Sequence, residues 1–129
     1  MHEPVSLFQP AALQQVTGGD PALFAELLEI FLRTVPAASA RLRQAALQLQ
    51  VSVIAIQAHE MRSSLAMVGA VGTSLWCERL ERAARRGSDP ALRTEGEALC
   101  AQLDRLIAQV REYAAHYDAA GAAKGHDHA

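Results

Sequence analysis

The residue with the most specific chemical surroundings in this sequence is His59. It lies within an apolar series, Ile54, Ala58, Met61, Leu65 and Val68, whose spacing in fours and threes marks one face of a helix. One step beyond Ala58, His59 is rotated by about 100° off that face. Its helical neighbours are Ala55, Ile56, Arg62 and Ser63, with Ser52 and Ala66 further along. All except Ile56 and Arg62 are small, so another protein could come close to the imidazole. Arg62, three residues on, can reach an anionic group carried by the ring and offset its charge. Spacing alone also fits a surface histidine with no role.

The elements that position this residue read as helices throughout. Ser6 to Val16 forms a short amphipathic segment with Leu7, Phe8, Leu13 and Val16 apolar, ended by Thr17-Gly18-Gly19. Asp20 is a good N-cap and Pro21 suits the first helical position. Phe24, Leu27, Leu28, Phe31, Val35, Ala38, Leu42, Ala45 and Leu49 then stay in phase across Pro36, which predicts one long helix kinked there. A turn at Gln50 to Ser52 leads to the His59 helix, which Gly69 closes. From Gly72 to Arg86 a further helix turns Leu75, Cys77, Leu80 and Ala84 inward. After Gly87, Ser88 or Asp89 caps the last helix, whose stripe is Leu92, Leu99, Leu103, Leu106, Val110, Tyr113 and Tyr117. The predicted fold is all-α: an antiparallel up-down-up-down four-helix bundle over residues 1–118 with a short extra N-terminal helix. Residues 119–129, rich in Ala, Gly and His, read as a flexible tail.

Composition narrows the function classes. Of 129 residues, 12 are basic and 14 acidic, a net charge of −2 that does not suggest a nucleic-acid binder. No apolar run is long enough to span a membrane. Met1-His2-Glu3-Pro4 lacks the regions of a signal peptide, and Cys77 and Cys100 read as free core thiols; the expected compartment is the cytoplasm.

Three further segments carry a resemblance. Ala58-His59-Glu60-Met61-Arg62-Ser63-Ser64, then Val68-Gly69-Ala70, then Leu75-x-Cys77-x-x-Leu80-Glu81 resembles the signature of histidine-containing phosphotransfer (HPt) domains of bacterial two-component systems. That family usually reads Ala-His-x-Leu-Lys-Gly-Ser, with Gly-Ala about ten residues on and a Cys-x-x-Leu-Glu segment after it. Gly18-Gly19-Asp20 and the Leu-Leu-Glu-Ile-Phe-Leu run at 27–32 resemble its first long helix. Arg62 stands where Lys is usual, which keeps the charge and changes the donor geometry. Ser63 stands where Gly is usual and is still small. The segment around His59 is also similar to the phosphoacceptor box of sensor kinases, but Ser64 replaces that box's proline and no ATP-binding segment follows.

The resemblance implies a phosphohistidine carrier without ATP-dependent kinase activity. His59 would accept a phosphoryl group from a receiver-domain aspartyl phosphate and pass it to another receiver. Arg62 would stabilise the phosphoryl charge, and Ser52, Ala55, Ile56, Ser63 and Ala66 would form the docking face. Partners would be response-regulator receivers, with a hybrid sensor kinase among them; the protein would be a monomer with no cofactor of its own, the Mg²⁺ belonging to the receiver. The other readings are a fragment of a kinase dimerisation domain and a bundle that only docks a partner. Glu81 is a candidate for holding the second imidazole nitrogen, though a plain surface glutamate fits its position as well. Arg79, Arg82, Arg85 and Arg86 read as a solvated basic face, and His126-Asp127-His128 as a solvated run rather than a metal site.

Overall fold

The computed structural model describes the backbone of residues 6–127 and the side chains of residues 6–117. Its five helices are α1 (Pro10–Thr17), α2 (Pro21–Leu47), α3 (Val51–Met67), α4 (Val71–Arg85) and α5 (Ala91–Asp127). Among the described residues there is no strand. Each of α2 to α5 packs against the next in chain order, and α5 closes the ring against α2. This is the up-down-up-down bundle that short connections between amphipathic helices require.

The N-terminal segment departs from its sequence reading. Ser6 to Gln9 is not helical, because Pro10 holds Gln9 in the extended region and itself supplies a preset first helical residue. The segment is tied down instead: the Leu7 and Phe8 N–H groups donate to Gln109 Oε1 at 2.8 and 3.1 Å, and Gln9 N–H donates to the Val68 carbonyl at 2.8 Å. In α1, Val16 is 58 % exposed and Thr17 is buried in its place, its hydroxyl donating to the Gln14 carbonyl.

Asp20 caps α2 as expected, its Oδ1 accepting from Ala22 and Leu23 N–H at 3.0 and 3.2 Å. The helix runs unbroken through Pro36 and buries Phe24, Leu28, Phe31, Val35, Ala38, Leu42 and Ala45. It ends two residues before Leu49, which adopts a left-handed φ of 52° while Gln50 N–H reaches back to the Ala45 carbonyl. Ser52 therefore lies within α3 rather than in the turn.

Along α3, Ile54, Ala58, Met61, Leu65 and Val68 are all buried. In α4 the inward series is Thr73, Cys77, Leu80 and Ala84, and Leu75 is 48 % exposed. Leu75 lies two residues, roughly 200°, from Cys77, on the opposite side of the helix. Thr73 is tolerated inside because its hydroxyl accepts from Gln102 Nε2 at 2.9 Å. Along α5 the gap between Leu92 and Leu99 is filled by Gly96, where a Cβ would collide with that of Ala46 on α2. Helix α5 starts on Asp89, which accepts from Ala91 N–H, and its backbone continues past Asp118 to Asp127. The side chains of His126 and Asp127, and all of His128, lie outside the described residues.

The turn between α3 and α4 rests on Gly69, at a φ of 78°. A Cβ there would run into the Gln9 side chain and press on Ala12 of α1. Gly69→Ala is expected to destabilise the protein by about 1–2 kcal/mol through the left-handed backbone and by about 1–3 kcal/mol more through overpacking. Urea denaturation of the two proteins measures the difference.

Candidate functional site

Helix α3 presents His59 one step from fully buried Ala58, with 59 % of the side chain exposed. Antiparallel α4 brings Glu81 alongside it, because Glu81 follows buried Leu80 and is turned toward α3. Ser74 Oγ donates to the Arg62 carbonyl at 2.9 Å and pins the two helices together beyond the site.

Glu81 is the hub of the arrangement, with only 10 % of its side chain exposed. His59 Nδ1 lies 3.0 Å from Oε1 and 3.2 Å from Oε2. Arg62 Nη1 donates to Oε1 at 3.3 Å. Arg85 donates to Oε2 from Nε at 3.1 Å, and its Nη2 lies 3.0 Å from the same oxygen in an ion pair. Burial pulls the Glu81 carboxyl upward, but the hydrogen bonds and charges of His59 and Arg85 outweigh it and hold the group below the ordinary carboxylate value. An ionised carboxylate only accepts hydrogen bonds. In the neutral ring Nδ1 must then carry the proton, which leaves the lone pair on Nε2.

This linkage has a defined sign. Because the folded value of Glu81 is depressed, its contribution to stability is fully present above the ordinary value of 4.5 and is lost as pH falls below it. Glu81→Gln is expected to lower stability by about 1 kcal/mol at neutral pH, a modest figure because both arginines are exposed enough to be screened. The difference between variant and wild type should shrink as the pH falls below 4.5, as urea titrations at several pH values would read out.

The docking residues divide. Ser52, Ile56, Ser63 and Ala66 are exposed, on the same side of α3 as His59. Ala55 is not: it is only 3 % exposed. It is turned toward α4 and lines a groove of about 510 Å³ with Val51, Ser52, Ile56, Ala84, Arg85 and Gly87. Ala55 therefore does not belong to the exposed face of α3 that carries His59. A second groove, of about 460 Å³, lies between α2 and α3 around Arg33, Arg41, Glu60 and Ser64 and does not include His59.

In the sequence Arg85 is one of four basic residues, Arg79, Arg82, Arg85 and Arg86, on one segment. The signal that separates it is Glu81 four positions earlier, a helical ion-pair spacing. Trp76 packs partly, its indole N–H donating to Glu95. Both cysteines are free and buried, and burial pushes the Cys77 thiol up to about 12. Among the described residues, no group of three or more His, Cys, Asp or Glu is placed to hold a metal ion, and no helix is long and apolar enough to cross a membrane.

Comparison with known proteins bears on the fold and the family. None of the curated proteins compared with the chain matches it. Its fold is similar to that of the HPT domain from the Hpt sensor hybrid histidine kinase from Shewanella, with a TM-score of 0.76. The two are 17 % identical over 86 % of this chain and 96 % of that one. The family model for the Hpt domain matches residues 26–113, a span that holds His59, Arg62, Glu81 and Arg85. The chain belongs to the Hpt domain family, the histidine phosphotransfer domains of phosphorelays.

Proposed function

We propose that this protein accepts a phosphoryl group from the aspartyl phosphate of a receiver domain onto His59 Nε2 and passes it to a second receiver. The observation that carries the reading is the hydrogen bond from Nδ1 to buried Glu81, which turns the opposite nitrogen outward among small exposed side chains. The imidazole attacks phosphorus through the Nε2 lone pair. The N–P bond forms, the P–O bond to aspartate breaks, and the aspartate leaves as a carboxylate with the bonding pair. The Nδ1 proton stays where Glu81 holds it, so the ring becomes cationic beside an anion. Arg62 offsets the charge of the phosphoryl oxygens. Because the ring is held before the donor arrives, the transfer needs little reorganisation on this side.

The receiver supplies its own Mg²⁺ and the phosphoryl-binding groups, and this chain contributes a nucleophile on a rigid helix. The proposed setting is the bacterial cytoplasm, with the protein acting as a monomer beside response regulators and a hybrid sensor kinase. The test is incubation with phosphorylated receiver domains from the same cell, followed by detection of acid-labile label on this chain. Label from ATP alone, without a kinase, would contradict the carrier reading.

A further inference from the structure

Two guanidinium groups, from different helices, meet at Glu81. Arg62 of α3 occupies Oε1, while Arg85 of α4 places both Nε and Nη2 on Oε2. Arg85 also lines the groove beside Ser52 and Ile56, so its charge stands at the surface a partner would approach. An i,i+4 pair on an exposed helix contributes little by itself. Here, however, the acceptor is buried and is already committed to the imidazole.

Charge balance gives the arrangement a purpose. A phosphoryl group on nitrogen brings about −1.5 to −2 next to a carboxylate that water screens poorly. The protonated ring and Arg62 together leave such a site with about one negative charge in excess. A second guanidinium brings it close to neutral. We propose that Arg85 is a positioning residue for the phosphorylated state: anchored on Glu81, it compensates the charge His59 takes on and keeps the carboxylate turned toward Nδ1. This assignment rests on the phosphotransfer reading above.

The test is the equilibrium ratio of phosphohistidine to phosphoaspartate with one receiver, for wild type, Arg85→Ala, Arg85→Lys, Glu81→Gln and the double variant Glu81→Gln/Arg85→Ala. Thermal melts confirm that each is folded. Arg85→Ala is expected to shift the ratio toward the receiver by roughly three- to tenfold, the size of one screened charge at close range. Arg85→Lys keeps the charge and should recover most of the loss. In the Glu81→Gln background the charged anchor is reduced to a neutral acceptor, and removing Arg85 should change the ratio clearly less than it does in wild type. An unchanged ratio in Arg85→Ala, no rescue by lysine, or an equal shift without Glu81 would each overturn the assignment. A wild type that takes label neither from the receiver nor from phosphoramidate overturns both readings. A labelled wild type with an unaffected Arg85→Ala overturns the role of Arg85 alone.

Discussion

His59→Gln is expected to take no label from a phosphorylated receiver, a loss of the whole signal, while its melting curve stays close to that of wild type. The side chain is 59 % exposed, so its replacement leaves no cavity. A glutamine amide can still donate to Glu81, which keeps the buried carboxylate satisfied. What it lacks is a basic nitrogen with a free lone pair. His116 provides a control within the same chain. It is exposed, and its Nδ1 lies 2.8 Å from the Glu112 carbonyl, so its Nε2 is also turned outward. Among the described contacts it has neither a buried carboxylate nor a guanidinium partner. Receiver-derived label that persists in His59→Gln, or that survives acid as phosphoserine does, would show that the acceptor is another residue.

The second large effect is expected from bulk rather than chemistry. A near-attack geometry puts the nucleophile about 3–3.5 Å from phosphorus, and a misplacement of about 1 Å can reduce the rate about 10²-fold. In the proposed transfer the phosphoaspartate of the receiver is recessed, so α3 itself would press against the surrounding loops. Ser63 and Ala66 are exposed, on the side of α3 that carries His59, with the core residues Met61, Leu65 and Val68 turned away from them. Ser63→Trp and Ala66→Trp are therefore expected to fold normally and to lose transfer by about 10²-fold or more, with His59 intact. Circular dichroism and receiver-transfer kinetics test both variants together. If both fold and transfer at the wild-type rate, the docking face lies elsewhere. Ala55 is excluded from this series, because a tryptophan at a buried position would overpack the contact between α3 and α4.

Much of the architecture was legible because helix periodicity is a local property. The spacing from Phe24 to Ala45 places one face inward whatever the helix packs against, and the structure buries those positions through Pro36 without a break, except Leu27, which is half-buried at the edge of the face. The same rule set His59 one step outside the Ile54–Leu65 face. Capping is local as well, and Asp20 and Gly69 do what their positions in the sequence indicate. Where local rules misled, a second local rule had been outweighed. The hydrophobicity of Leu75 points inward but its phase opposes that of Cys77, and the apolar pattern of Ser6–Gln9 suggests helix but a proline follows.

The composition of the site was a different matter. Whether Glu81 faces His59 depends on the rotation and axial offset of α4 against α3, which no period within one helix encodes. That offset brings two residues 22 positions apart to 3.0 Å, adds Arg85 to the same carboxylate, and buries Ala55 in the groove instead of leaving it on the exposed face beside His59. The sequence by itself determined which residues could form a helix face and where His59 stands on its helix. Only the packing of α3 on α4 decided which nitrogen of that imidazole is held and which is left free, because hydrogen bonds of this kind require distances that local periodicity does not set.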